Sequence, residues 1–170
     1  MAMTVNFSGG TPRYQFQWLT AVNKWADTVG PLVLTEMKAK APVASGPNAS
    51  TGNHKAGTLR NKIRYSRTNT PGTLTIEFTG YAPYTGFVVN GTKPHQIRPV
   101  KKRFLHFYES GGTNAGADVF IGPKGDKKDP HVNHPGYRGN PFPTRVMESM
   151  APEAQRLFNE IMMEALGGGE

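Results

Sequence analysis

The sequence predicts an α+β domain in which a long N-terminal helix and a C-terminal helix pack on one face of a mainly antiparallel sheet, with long loops. Apolar residues recur at spacings of three and four near both ends of the chain, which indicates two amphipathic helices. Between them, apolar and polar residues alternate in short runs bounded by proline and glycine, as is typical of strands. The order helix, hairpin, further strands, helix therefore favours this fold class.

The first helix is predicted over residues 14–40. Its apolar stripe consists of Leu19, Val22, Ala26, Val29, Val33 and Met37. Because proline removes a backbone hydrogen bond and crowds the preceding turn, we expect Gly30-Pro31 to produce a kink or two abutting helices. Trp18 and Trp25 lie about two turns apart, and this spacing favours packing residues over a ligand cage.

The clearest hairpin is predicted over residues 59–79. In its first strand the apolar residues alternate loosely: Leu59, Ile63 and Tyr65. In its second strand they alternate strictly with polar residues: Leu74, Ile76 and Phe78. Residues 69–72 (NTPG) supply the turn. The hairpin should therefore have one face toward the core and one toward water.

Three further strands are predicted at residues 96–100, 103–108 and 118–121, separated by glycine-rich or charged turns. They extend the predicted β region beyond the hairpin.

The closing helix is predicted to begin near Pro143, a residue type suited to a first helical turn, and to end at the glycines 167–169. Its apolar stripe consists of Val146, Met150, Leu157, Phe158, Ile161 and Leu166. Pro152 is expected to break or restart this helix, with Ser149 as the N-cap of the second piece.

Residues 1–170 are predicted to form a single domain, because the chain length is near the usual size of one domain. The two termini, 1–12 and 167–170, are predicted to be flexible. Residues 41–57 and 122–143 consist largely of turn formers and small or charged residues, which predicts two long loops.

Composition excludes several classes of function. The chain has no cysteine, which excludes disulfides, thiolate nucleophiles and cysteine-based metal sites and suits synthesis in a reducing cytosol. No apolar run approaches the roughly 20 residues that span a bilayer, and the polar opening lacks the hydrophobic region of a signal peptide. We therefore expect no membrane partner and no export by that route.

The formal net charge is +8, with basic residues dense in 38–67 and 93–103. Such a charge attracts polyanions, so contact with nucleic acid is one interpretation. Solvated sheet faces or pairing with an acidic neighbouring subunit explain the same residues equally well.

The sequence holds no motif that predicts catalysis or metal binding. Its histidines are His54, His95, His106, His131 and His134. Their spacing does not match a zinc site, so His106 is assigned to a strand and His134 to a turn hydrogen bond before Pro135-Gly136. A catalytic pair of carboxylates is not predicted, because the candidate glutamates lie in separate predicted elements: Glu36, Glu77, Glu109 and Glu148.

A serine elbow and a phosphate-binding loop are also absent from the sequence. We therefore predict no catalytic, cofactor-binding or metal-binding residues, no cofactor and no enzymatic activity.

Four sequence blocks in the same order resemble a known family. Residues 38–43 (KAKAPV), 51–52 (TG) and 58–63 (TLRNKI) resemble its aPvdTG.Lr.si segment, stretched here by an insertion. Residues 81–84 (YAPY) through 90–92 (NGT) resemble its YA.yvE.GT segment.

The second pair of blocks follows in the same order. Residues 95–99 (HQIRP) and 101–107 (KKRFLHF) resemble the family's H.I.Pk..k.L.F segment. Residues 132–136 (VNHPG) and 140–142 (NPF) lead into the closing helix, as in v.HPGt...pF...al. This order is similar to that of the neck or tail-completion proteins of long-tailed bacteriophages.

The resemblance implies a structural virion protein of the head-tail connector, made in the host cytoplasm and located in the neck or tail region. It implies self-association into a hexameric ring that lets DNA pass, with passing contact with genomic DNA. It also implies contact with an adaptor or stopper, a tail terminator and the tail tube. The loops 41–57 and 122–141 are the expected contact surfaces, because they are longer than connectors need to be.

The sequence leaves three alternatives to a head-tail connector protein. A tail terminator that caps the tail tube is also a virion protein and fits the same motifs. A basic nucleic-acid-binding module would show steeply salt-sensitive affinity for duplex DNA. An enzyme would need a pocket with strongly perturbed ionisable groups.

Overall fold

A computed structural model describes residues 1–6, 12–43, 56–98, 105–108, 118–121 and 132–167; side chains are described for these except at 12–15, 105–108, 118–121 and 132. The elements in chain order are β1 (Ala2–Asn6), α1 (Pro12–Lys40), α2 (Thr58–Asn61), β2 (Ile63–Thr70), β3 (Thr73–Gly80), α3 (Thr85–Asn90), β4 (Gly91–Thr92), β5 (His95–Ile97), β6 (Leu105–Tyr108), β7 (Asp118–Ile121), β8 (Val132–His134), β9 (Tyr137–Arg138) and α4 (Phe142–Gly167).

The chain groups into two compact units. Unit 1 consists of Met1–Pro42, Thr58–Thr85 and Pro141–Glu170, and unit 2 of Val43–Gly57 and Gly86–Asn140. The assignment of 1–170 to a single domain stays a prediction, since two compact units can belong to one domain.

Unit 1 is built on a three-stranded antiparallel sheet with the order β1-β3-β2. The predicted hairpin is confirmed: β2 and β3 pair from Ile63↔Gly80 to Thr70↔Thr73, with the turn at Pro71-Gly72. Leu59 was predicted to begin the first strand and lies instead in the short helix α2, where it is buried. β1 corrects the prediction of a flexible N-terminus at residues 2–6, which pair with β3 about 70 positions away. Residues 7–11 of that predicted segment lie outside the described residues.

The α+β class is confirmed, and the hydrophobic core lies on one face of this sheet. Leu74, Ile76 and Phe78 of β3 are buried on that face. The register places Met3 and Val5 of β1 on the same face, opposite Ile76 and Leu74. The other face carries polar residues: Thr4, Ser66, Thr68, Thr73, Thr75 and Glu77. This alternation is what turns the period-two sequence pattern into a one-sided core.

Helix α1 lies against this sheet, and the predicted stripe faces the core. Its members from Val22 to Met37 are buried, whereas Leu19 at the N-terminal end of the stripe is 40% exposed. On the sheet side, Asp27 forms an ion pair with Arg67 of β2 at 2.6 Å, and Asn23 accepts a hydrogen bond from Asn69 at 3.0 Å. These polar contacts flank the buried stripe along β2.

Helix α4 packs antiparallel to α1. The Trp25 indole donates a hydrogen bond of 2.8 Å to the backbone carbonyl of Ala154, and its ring meets Phe158 edge-on at 5.8 Å between centroids. Lys24 reaches Glu164 near the C-terminal end of α4 at 2.6 Å. Trp25 is therefore a buried packing residue, as the sequence indicated, and Trp18 is half-buried.

Both helices continue through their prolines, which corrects the predicted break at Pro152 and excludes two abutting helices at Pro31, while the kink at Pro31 stays a prediction. Pro31 lies inside α1 and Pro152 inside α4. Ser149 is not an N-cap, because its hydroxyl donates to the carbonyl of Val146 at 3.0 Å within the same helix. A proline removes one intrahelical bond, and the packing of the residues on both sides keeps each helix in one piece.

Unit 2 contains three short antiparallel ladders among its described residues, β4-β9, β5-β8 and β6-β7. β7 coincides with the predicted strand 118–121, and β6 lies within the predicted strand 103–108. β5 overlaps the start of the predicted strand 96–100 and begins one residue earlier. The predicted loop 122–143 is wrong in part, because β8 and β9 lie inside it. The rest of that loop at 122–131, and the loop 41–57 at 44–55, lie outside the described residues, as do residues 168–170.

Candidate functional site

Parts of three of the sequence blocks that carry the family resemblance meet in unit 2. Gly91 and Thr92 of β4 pair with Arg138 and Tyr137 of β9. His95, Gln96 and Ile97 of β5 pair with His134, Asn133 and Val132 of β8. We call β4, β5, β8 and β9 the motif ladder. Two blocks about 40 residues apart in sequence therefore form one local structure.

Glycine is required where the two chain segments of the motif ladder cross. A Cβ on Gly139 would lie 2.3 Å from the carbonyl oxygen of Val89, and a Cβ on Gly91 would lie 2.2 Å from that of Tyr137. Gly91 also has a φ of 79°, in the left-handed region. Asn140 then donates its backbone N–H to Val88 at 2.8 Å. Backbone thus contacts backbone here, with no space for a side chain between the segments.

The two described histidines stack across the motif ladder. The rings of His95 and His134 lie 5.0 Å apart at an angle of 28°. The backbone N–H of Gly136 donates to His134 Nδ1 at 3.0 Å, so that nitrogen is an acceptor and a neutral His134 carries its proton on Nε2. His95 Nδ1 lies 2.9 Å from the carbonyl oxygen of Lys93 and must donate to it.

The turn hydrogen bond predicted for His134 is therefore confirmed. Sequence reasoning missed its stacking on His95, because only the β5-β8 register brings the two rings together. His106 lies in strand β6, as predicted, and its side chain is outside the described part, as are His54 and His131. Within the described ranges, no group of three or more histidine and carboxylate side chains could hold a metal ion.

Of the four glutamates that are candidate catalytic groups, the three that the structure describes are not brought together. Glu36 pairs with Lys40 one turn along α1 at 3.5 Å. Glu77 is exposed on the polar face of β3, and Glu148 lies on α4. Glu109 falls outside the described residues. Those that are described stand on separate elements, and this arrangement offers no paired carboxylates for acid-base chemistry.

A second surface of interest is the outer edge of β1. Phe78 donates its backbone N–H to the carbonyl of Met1 at 2.7 Å, so Met1 and Phe78 form a hydrogen-bonded pair. In an antiparallel ladder such pairs alternate, which places the next ones at Met3 and Val5. The N–H and C=O groups of Ala2, Thr4 and Asn6 therefore point away from β3.

This edge borders an apolar groove within unit 1. The groove has a volume of about 420 Å³ and runs between β1 and α4. It is lined by Met3, Thr4, Val5, Trp25, Ala151, Ala154, Gln155 and Phe158. We call the open side of β1 together with this groove the edge groove. β1 carries no charged side chain, so the edge lacks the charges by which exposed strands commonly resist pairing.

Comparison with protein-family models, with curated proteins and with solved structures finds no match to this chain. In the part of the chain that the structure describes, no helix is long and apolar enough to cross a membrane.

Proposed function

We propose that this protein is a structural subunit of the head-tail joining region of a tailed bacteriophage, and that it assembles into a ring through which DNA passes. The motif ladder is the observation that carries the proposal. The HQI block pairs in register with the first three residues of the VNHPG block, and both resemble blocks of neck and tail-completion proteins. The NGT block, which carries the same resemblance, pairs with Tyr137 and Arg138 directly after VNHPG.

The chemistry of these blocks supports a structural role. Gly91 and Gly139 allow close backbone approach, and the His134 ring accepts a hydrogen bond within the turn. Phe142, at the end of the last block, is buried at the first residue of α4. Each group therefore serves to fix the backbone, as expected of an assembly protein.

The open edges of the unit 1 sheet support self-association. A ring of identical subunits joined head to tail needs two different complementary surfaces on each copy. The order β1-β3-β2 leaves β1 and β2 at opposite edges, each paired only with β3 among the described residues. We propose that the edge groove of one copy receives β2 of the next, so that the sheet continues across the interface.

The proposed contact is tested by removing one outward N–H group. Thr4→Pro deletes a donor that points away from β3, so the β1-β3 ladder keeps its bonds and a partner strand loses one. Thr4→Ala is the matched control, because it removes the hydroxyl and keeps the N–H. We expect native mass spectrometry to find rings with wild type and Thr4→Ala, and monomers with Thr4→Pro.

A second variant guards against misfolding of the first. Ala151 is exposed and lines the groove, so Ala151→Arg should fill the groove and leave the core intact. Rings that form equally well with Thr4→Pro and Ala151→Arg would exclude the edge groove as the contact.

Location in the particle tests the proposed function itself. Cryo-electron microscopy of the virion is expected to find the protein as a ring between the portal and the tail tube. A ring that only caps the tail tube would support the tail-terminator alternative, and absence from the neck and tail would overturn the proposal.

A further inference from the structure

We infer that the motif ladder of unit 2 presents a surface that binds the phosphate backbone of duplex DNA. This inference rests on the proposed function for its biological setting, since it names the part of the subunit that would face the DNA. The binding itself requires neither a ring nor a virion, so it can be tested separately.

Positive charge is concentrated in unit 2. Its residues include ten lysines and arginines against four aspartates and glutamates, a net charge of +6. Unit 1 has ten against eight, a net charge of +2. All five histidines also lie in unit 2. The excess charge therefore belongs to the unit that contains the motif ladder.

Four of the ten lysines and arginines of unit 1 are neutralised by a described carboxylate neighbour. Lys24, Lys40, Arg67 and Arg156 each form an ion pair with a carboxylate of unit 1. Such pairs leave little net field at the surface, because each positive charge has a negative one a few ångströms away.

The motif ladder and the residues that adjoin its strands lack such ion pairs with carboxylates of their own. Residues 86–98 and 133–140 contain Lys93, Arg98 and Arg138 and no aspartate or glutamate. All three side chains are exposed. Among the described residues, Lys93 and Arg138 form no ion pair. A group of like charges without interspersed carboxylates produces the single-sign field that draws a polyanion.

Pairing places these donors along one short structure. Arg138 of β9 lies directly across from Gly91 of β4. Lys93 comes two residues after Gly91, just past the end of β4, so the two cations lie at neighbouring positions of the ladder. Arg98, the residue after β5, donates to the side-chain oxygen of Gln96 at 2.7 Å, and Gln96 lies opposite Asn133 of β8. Tyr137 on β9 is 50% exposed.

This set of side chains fits phosphate better than an acidic protein surface. Most hydrogen bonds from proteins to DNA reach phosphate and sugar from arginine, lysine, asparagine, glutamine and tyrosine, all of which are present here. Lysine, in contrast, is depleted from protein-protein interfaces. Among the described residues of unit 2, the helix beside the motif ladder is α3, which has six residues and is too short to read the major groove. This favours contact with the DNA backbone, which does not depend on base sequence.

The test is the salt dependence of binding to a random-sequence DNA duplex, measured by fluorescence anisotropy with the full chain. Lys93→Gln/Arg138→Gln should weaken binding at least about tenfold at 0.1 M salt. It should also make the slope of log K against log salt shallower by about 2, since about 0.9 counterion is released per phosphate contact.

Arg60→Gln/Lys62→Gln is the matched control. It removes one arginine and one lysine that are exposed on unit 1, so the net charge falls equally. We expect it to bind nearly as wild type does. Equal weakening by both pairs would overturn the inference, because net charge alone would then explain the binding. So would wild-type affinity that does not change with salt.

Two further measurements complete the test. If the double variant does not fold, Lys93→Glu alone should still weaken DNA binding and can replace it, since this exposed side chain makes no described contact. Polyglutamate that competes as well as DNA at equal charge would overturn the inference in favour of an acidic protein partner. Wild-type protein that forms rings but does not bind DNA would refute the DNA surface alone. Wild-type protein that binds DNA but forms no rings would refute only the ring.

Discussion

The two units are stabilised in different ways. Every buried apolar side chain among the described residues belongs to unit 1, where α1, α4 and the three-stranded sheet enclose a common core. Unit 2 contributes none of them, and its motif ladder is held by short antiparallel pairings and by glycines at close backbone contact. The first kind of stability comes from apolar burial, and the second from backbone geometry.

This difference suggests a division of tasks. A core of large apolar side chains gives unit 1 the stability to hold its surfaces in fixed positions. A segment with few buried apolar contacts opens more easily and is typical of regions that bind partners. We therefore expect substitutions to affect global stability in unit 1 and local order in unit 2.

The largest effect should come from the core of unit 1. Ile76 is fully buried in the central strand, so Ile76→Ala should lower the free energy of unfolding by about 2 to 5 kcal/mol. Ile97 of β5 is 38% exposed, and Ile97→Ala should cost about 1 kcal/mol or less. Urea denaturation measures both, and equal losses would contradict the proposed difference between the units.

A smaller, local effect is expected at the crossing in unit 2. Gly139→Ala would force a methyl group against the Val89 carbonyl and should open the β4-β9 pairing, at a cost of about 2 kcal/mol or more. Gly86→Ala is the control, because open space surrounds that position. Amide hydrogen exchange should speed up at residues 88–92 and 137–140 in the first variant only. Faster exchange throughout α1 would indicate that the two units are coupled.

The contact between the two long helices can be weakened by one hydrogen bond. Trp25→Phe keeps most of the apolar ring and removes the N–H that bonds the carbonyl of Ala154. We expect a loss of about 1 to 2 kcal/mol, because a buried bond is lost and the cavity is small. Thermal unfolding measures this loss. A change within about 0.5 kcal/mol would mean that the indole bond adds little to the core of unit 1.

The smallest effect should come from the surface ion pairs of unit 1. The hydrogen bond from Arg156 holds the pKa of Glu153 below its ordinary value, and Glu153 and Glu160 together raise the pKa of Arg156. Because the pKa of Glu153 is lowered by folding, the pair stabilises α4 at pH values above about 4.3, the ordinary pKa of a glutamate. This contribution is lost as the pH falls through the lowered pKa.

Arg156→Gln should raise the pKa of Glu153 toward its ordinary value, which an NMR titration of the side-chain carboxyl would detect. Since both groups are exposed, added salt should reduce the difference between wild type and variant. An unchanged pKa in Arg156→Gln would show that the pair does not persist in solution.

The sequence predicted those elements whose pattern is local. The strict alternation around Leu74, Ile76 and Phe78 predicted β3, and the stripes of α1 and α4 predicted both long helices. The central residues of these elements were predicted correctly, because each buried residue follows the period of its own helix or strand. Neither Pro31 nor Pro152 divides its helix, because the packing of each helix outweighs the single backbone hydrogen bond that the proline removes.

Elements defined by distant partners were missed. β1 has five residues and becomes a strand only through its pairing with β3. β8 and β9 lie in a stretch rich in turn formers, and their strands exist through pairing with β5 and β4. The stacking of His95 on His134 follows from the same register. Short strands carry too little local pattern to be recognised before their partners are known.

The hydrogen bond between Trp25 and Ala154 joins residues 129 positions apart, and this separation has a consequence during translation. At roughly 5 to 20 residues per second, α1 is synthesised between about 6 and 26 s before its partner helix. During that interval the sheet formed by β1 and the hairpin can cover part of the stripe of α1, but α4 cannot. We expect a chain cut short before Phe142 to aggregate, so that only completed chains are available to assemble.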